Sequence, residues 1–232
     1  MSSSASVLRT TRARVVFGLV VALVVVLTLV SVVIVESLRS TSVPIATSPL
    51  RMAVIGDSYS AGSGEVNGWP TLMANTSSVG VTNVSLPNSG FLADAGGVGN
   101  FQAQAAKAIA AHPDVIIVFG GLYDVGKPTE QLAQAATDLF VSLARSAPAA
   151  KLVVIGPLWY TVPVPEVIVD IDETVGQVAQ RLSITYLRVL DEPWLHAPGL
   201  VDAESSQPTD AGQQALASEL AAQLRRIGLP ID

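Results

Sequence analysis

Residues 114–121 read DVIIVFGG. Five consecutive apolar residues, four of them β-branched valines or isoleucines with no polar alternation, end on two glycines. A short continuous apolar run of this kind suits a strand covered on both faces, the setting of a parallel sheet. The same form recurs outward along the chain. MAVIG at 52–56 stops at a glycine, VTNVSL lies at 81–86, KLVVIGP at 151–157 and ITYLRVL at 184–190. Helical patterns fall between these runs. FQAQAAKAIAA at 101–111 is rich in helix formers, and Leu132, Ala136, Leu139 and Leu143 recur at helical spacing. Ile168, Ile171, Val175, Val178 and Leu182 do the same, as do Leu216, Leu220, Leu224 and Ile227, with Thr209 or Asp210 as N-cap. Strand then helix, repeated about five times, predicts an α/β doubly wound sandwich around a parallel sheet. Its site should lie at the carboxyl ends of the strands.

The chain of 232 residues has no cysteine, 13 basic and 19 acidic groups. Without cysteine there is no disulfide framework, thiolate metal site or cysteine nucleophile. Three lysines and an acidic balance argue against nucleic acid as a partner. Arginine in excess of lysine, with abundant alanine and valine, fits a GC-rich bacterial source.

Hydrophobicity is concentrated at residues 15–35, VVFGLVVALVVVLTLVSVVIV, which carry no charge. Twenty-one residues at about 1.5 Å each span roughly the hydrocarbon thickness of a bilayer. Arg9, Arg12 and Arg14 precede the run and Glu36 follows it. The expected arrangement is a cytoplasmic segment 1–14, a transmembrane helix 15–35, a Ser/Thr/Pro-rich linker 36–49 and an extracytoplasmic domain 50–232. A cleaved signal peptide fits less well, because the apolar run is long and no clear A-x-A site follows. Beyond residue 35 the chain carries 10 basic and 19 acidic groups, a formal −9.

Four segments fall at the expected strand ends: Gly56-Asp57-Ser58, Asn88-Ser89-Gly90, Gly120-Gly121-Leu122-Tyr123-Asp124, and Glu204-Ser205-Ser206-Gln207-Pro208-Thr209 running to Gly212. A serine just past a strand end, opening a helix, is exposed to a cleft beside free backbone N–H groups. Taken singly, each segment reads equally well as an ordinary turn. In this order and spacing they resemble the SGNH hydrolase family, the GDSL-type esterases and lipases, over residues 51–227. The resemblance implies that family's fold, a three-layer α/β/α sandwich with a parallel, flavodoxin-like five-stranded sheet. The resemblance implies Ser58 as nucleophile, with Gly90 and the Ser58 N–H as oxyanion donors. It implies an acyl-ester substrate, with ester or acetylated envelope glycans and lipids suggested by the location, and no cofactor or metal.

Two positions depart from the family pattern. The third-block oxyanion asparagine is replaced by Tyr123, and the general-base histidine by Gln207. The carboxylate that orients the base falls at Glu204. Glutamine cannot take and return a proton at neutral pH, so weak or absent hydrolysis is expected. The alternative is a non-catalytic pseudo-hydrolase that binds an envelope glycan, lipid or protein partner. His196 and Glu204 are candidates for a replacement base, whereas His112 falls at the amino end of a strand. Asp170, Asp172 and Glu173 read as a solvated helix face rather than a metal site. Trp69, Trp159 and Trp194 read as core or cleft-lining residues.

Overall fold

The computed structural model describes residues 49–232. The expected segments 1–14 and 15–35 and nearly all of the 36–49 linker lie outside the described residues. No helix among the described residues is long and apolar enough to cross a membrane.

Pro49–Asp232 form one compact unit. Strands β1 (Leu50–Gly56), β4 (Val79–Asn83), β5 (Val115–Phe119), β6 (Lys151–Ile155) and β7 (Thr185–Leu187) build the main sheet. Its order is β4-β1-β5-β6-β7, and every neighbouring pair is parallel. This is the expected flavodoxin-like arrangement, whose crevice opens where the chain turns from one side of β1 to the other. A two-stranded ribbon, β2 (Gly62–Ser63) and β3 (Val66–Asn67), follows the one-turn helix α1 (Ser58–Ala61). The longer helices are α2 (Trp69–Thr76), α3 (Phe101–Ala110), α4 (Thr129–Ser146), α5 (Glu166–Arg181) and α6 (Asp210–Arg226).

The period of two along β1 divides the core. Met52 and Val54 face one layer, with Trp69 and Met73 of α2 and Leu216, Leu220 and Leu224 of α6. Ala53 and Ile55 face the other, with Phe101 of α3, Leu139 and Phe140 of α4 and Val175 of α5. Each fully buried leucine of α6 contributes about 1.5–3 kcal/mol relative to exposure. Both faces of the sheet are therefore dry, as the unbroken apolar strands require.

Three sequence expectations are corrected. The fifth strand ends at Leu187, short of the expected 190, because Arg188 pairs with Asp172 and Asp191 instead of continuing the ladder. Helix α2 was not expected. Its apolar face is only Trp69, Pro70 and Met73, too short a pattern to read, and Pro70 in its first turn marks its start. Asp172 is not on a solvated face. It is 1% exposed, accepts from the Tyr186 hydroxyl at 2.7 Å and pairs with Arg188. Burial raises its pKa above the ordinary carboxylate value. Trp69 and Trp194 are buried core residues, whereas Trp159 is half-buried at the carboxyl edge.

Candidate active site

Four chain segments meet at the carboxyl end of the sheet. The first is the β1–α1 turn. The Asp57 carboxylate caps α1 by accepting from Tyr59 N–H at 3.0 Å, and it also receives Gly121 N–H at 3.3 Å. A Cβ at Gly120 would stand 2.2 Å from Asp57 Oδ2, and Gly120 has φ +127°. Only glycine meets both demands there. Asp57 is fully buried, and that desolvation pushes its pKa up to about 7 against the opposing backbone hydrogen bonds. The cap places Ser58 at the first position of α1, where its N–H has no intrahelical acceptor.

The second segment, 86–94, is fastened from two sides. Gln104 of α3 accepts from Gly56 N–H and donates to Gly56 O and Ser89 Oγ, locking the loop to the end of β1. Asp124 receives the N–H groups of Phe91, Leu92 and Ala93 at 2.7, 2.9 and 3.0 Å. Burial raises the Asp124 pKa, and these three donors oppose the rise.

Within this loop the expectation for Gly90 fails. Its N–H donates to Ala93 O at 2.9 Å, and a Cβ on it would lie 2.5 Å from Asp124 Oδ2. Gly90 is glycine so that the Asp124 carboxylate can pass close to it. The N–H that faces the serine belongs to Asn88, which donates to Ser58 Oγ at 2.9 Å from a left-handed backbone with φ +61°. Sequence reasoning missed Asn88 because it took the loop's glycine for the donor. The available signal was that asparagine tolerates the left-handed conformation better than most residues.

The third and fourth segments supply Tyr123 and Gln207. The Tyr123 hydroxyl donates to Ser58 Oγ at 2.7 Å, and Gln207 Nε2 donates to Tyr123 Oη at 3.1 Å. Ser58 Oγ thus accepts from two donors, while Gln207 Oε1 is buried with no partner. Rotation of the amide by 180° would let Tyr123 donate to Oε1 and accept from Ser58, but an amide oxygen cannot hold the serine's proton. These residues line a cavity of about 560 Å³ with Gly62, Ser63, Gly64, Pro87, Asn88 and Ser205. That size suits a small organic ligand.

Ser58, Tyr123 and Gln207 are therefore brought together as expected, and Glu204 is not. Glu204 is exposed, and its carboxylate makes no hydrogen bond among the described residues. Asp202 organises this loop instead, accepting from Ser205 N–H and Ser205 Oγ, each at 2.7 Å. Tyr59 and Tyr160 donate to Ser206 O and Ser206 Oγ, holding the residue before Gln207 at φ +57°. His196 is exposed and does not line the cavity, and His112 is exposed at the opposite edge of the sheet. Neither reaches Ser58. No cluster of His, Asp and Glu among the described residues could hold a metal ion.

A model of the GDSL-like lipase/acylhydrolase family matches residues 54–215. The GDSL lipase Rv0518 of Mycobacterium tuberculosis (strain ATCC 25618 / H37Rv) is 29% identical over 185 residues, spanning 73% of this chain and 79% of that protein. The crystal structure of TesA superposes with a TM-score of 0.61 at 20% identity, covering 76% of this chain and 99% of its own. The psychrotrophic esterase EstA from Pseudoalteromonas sp., in a structure inhibited by monoethylphosphonate, gives 0.60 at 17% identity, covering 76% and 97%. The two structural likenesses establish the fold.

Proposed function

Because the chain belongs to the GDSL-like lipase/acylhydrolase family, we propose that its Ser58 cleft receives an acyl ester and hydrolyses it far more slowly than a member equipped with a base. The substrate class is an ester or acetylated glycan or lipid of the cell envelope. The domain is held outside the cytoplasm by residues 15–35.

One observation carries this reading. Ser58 Oγ is met by two donors, Asn88 N–H and the Tyr123 hydroxyl, and behind Tyr123 stands the Gln207 amide. As Oγ attacks an ester carbonyl, the serine proton must leave. None of these three groups is a competent acceptor at neutral pH, so the attack lacks its base. The oxyanion formed at the former carbonyl would still find N–H donors, because Asn88 N–H and Ser58 N–H bracket the serine. In serine hydrolases, loss of the base costs on the order of 10⁶ in kcat, while the remaining donors sustain about 10³–10⁴ over the uncatalysed reaction. A non-catalytic binding role is the second reading. The 4% exposure of Ser58 and its two occupied lone pairs favour it.

The deciding measurement is p-nitrophenyl acetate hydrolysis by the full chain, Ser58→Ala, Gln207→His and the double variant Gln207→His/Glu204→Asp. The expected result is a weak wild-type rate that Ser58→Ala removes, and a gain of about 10²–10⁴ when the base is restored. Brisk wild-type turnover that needs Ser58 and is indifferent to Gln207→His would overturn the proposal. Wild type equal to Ser58→Ala, with activity created by Gln207→His, would select the binding role.

A further inference from the structure

Five large apolar side chains stand exposed among the described residues: Val98, Val125, Val162, Val167 and Leu182, at 71, 46, 76, 48 and 37%. The first four share one edge of the molecule. Val98 lies between β4 and α3, Val125 between β5 and α4, Val162 between β6 and α5, and Val167 in the first turn of α5. All of these connections leave the carboxyl ends of the strands, the edge on which the Ser58 cavity opens. Only Leu182 sits at the other end, past the last turn of α5.

The sequence around Val98 and Val162 is depleted of charge, whereas Val125 stands between Asp124 and Lys127 and Val167 follows Glu166. Residues 95–101 (AGGVGNF) and 152–165 (LVVIGPLWYTVPVP) contain no Asp, Glu, Lys or Arg, in a part of the chain that is otherwise strongly acidic. Half-buried Trp159 lies in the second stretch, its ring tilted against that of Tyr160 with centroids 5.1 Å apart. The Tyr160 hydroxyl in turn donates to Ser206 Oγ at 2.9 Å, tying this rim to the loop that carries Gln207. Isolated surface valines are ordinary, but here four share one edge, and two of them lie in uncharged stretches, one of which also carries a tryptophan, an apolar character of the interfacial kind.

We infer that this rim is a lipid-docking face: Val98, Val125, Val162, Val167 and Trp159 seat the domain on a zwitterionic bilayer, with the Ser58 cleft opening toward it. The inference rests on the membrane anchor and acyl-ester cleft proposed above. The chain outside the structure supplies the occupant. Its 21-residue apolar run holds the protein at a bilayer, and the 14 residues 36–49 reach roughly 46–50 Å when extended. A domain of this size is about 40 Å across. The tether joins β1 at the amino edge, yet it is long enough for the opposite edge to turn to the membrane. The acidic remainder of the surface would be repelled by anionic lipid, which leaves zwitterionic lipid as the matching partner. A substrate lipid ester would then enter the cleft from the bilayer without crossing water.

The chain's own tryptophans allow a direct test. There are three, none of them within residues 15–35, and Trp69 and Trp194 are buried. The full chain is reconstituted into phosphatidylcholine vesicles with and without bromine on the acyl chains, pelleted, and its tryptophan emission compared. The expected result is co-sedimentation with loss of about one third of the emission in brominated lipid, the share of one tryptophan in three. Trp159→Phe should abolish that loss, and Val98→Ser/Val162→Ser should diminish it. Co-sedimentation with equal emission in both lipids overturns the docking face and leaves the anchor standing. Failure to sediment removes both. Equal emission together with a disulfide-linked dimer of Val162→Cys would assign the face to a second copy and overturn the lipid assignment.

Discussion

At Gly90 and Gly96 the same substitution should have different consequences. A Cβ at Gly90 would lie 2.5 Å from Asp124 Oδ2 and 2.7 Å from its Cγ. The carboxylate cannot retreat without releasing the N–H groups of Phe91, Leu92 and Ala93. Gly90→Ala is therefore expected to cost about 2–4 kcal/mol, through steric strain and a broken buried network. At Gly96 a Cβ meets nothing within 4 Å, and the obstacle is only its φ of +71°. Gly96→Ala should cost about 1–2 kcal/mol. Equal losses in denaturant unfolding would mean that the Asp124 clamp does not constrain its loop. This residue scale is also where the sequence was read both well and badly. Ser58, Tyr123 and Gln207 were legible because each side chain has a fixed place in a linear pattern, and the fold brings all three within hydrogen-bond distance. The Asn88 donor was not legible, because a backbone N–H has a direction set by φ and ψ rather than by residue type. Glu204 was misplaced for a related reason. Spacing gives its position along the loop, but the Asx-type turn built by Asp202 decides which way the loop faces.

Among the elements, the strands were readable because burial on both faces demands unbroken apolar runs, and β5 is buried along its whole length. The edge strand β7 has no fully buried residue, so its pattern blurred into the following turn. Helix α2 escaped notice because its support comes from another element. Gln213 of α6, 1% exposed, accepts from Trp69 N–H at 2.7 Å and donates to Tyr59 O at 3.1 Å. One side chain thereby ties α6 to the starts of α2 and α1, and so to the turn that carries Ser58. Gln213→Leu would leave a buried N–H and a buried carbonyl unpaired. A loss of about 2–4 kcal/mol is expected, whereas Gln214→Leu, on the exposed side of α6, should change stability by less than about 0.5 kcal/mol. Thermal unfolding of the two variants decides the matter. A Gln213→Leu protein as stable as wild type would mean that the bridge does not hold α2.

For the molecule as a whole, buried carboxylates govern the response to pH. Asp57, Asp124 and Asp172 all have pKa values raised by burial, Asp57 to about 7. Exposed Asp114 moves the other way, held to about 2 chiefly by its hydrogen bond from Arg51, and Asp202 is lowered by its bonds from Ser205. The signs separate cleanly. A carboxyl whose folded pKa lies above its unfolded value binds more protons folded than unfolded between those two values, so stability falls as pH rises across the interval. For Asp57 the interval runs from the ordinary value of 3.8 to about 7. The depressed groups act in the opposite sense, but only below about pH 4, where they begin to protonate in the unfolded chain. Between pH 5 and 8 the raised groups therefore dominate, and the melting temperature should be highest at the acidic end and decline toward neutrality. Asp57→Asn keeps an oxygen to accept from Tyr59 N–H but has nothing to ionise. Whatever its absolute stability, its decline over that range should be shallower than that of the wild type. Melting curves at half-unit pH steps give both slopes. A wild-type melting temperature that is flat or rising from pH 5 to 8 would contradict the assignment, as would an Asp57→Asn slope as steep as the parent's. The same carboxylate caps the turn that presents Ser58, so its ionisation is coupled to the element that positions that serine.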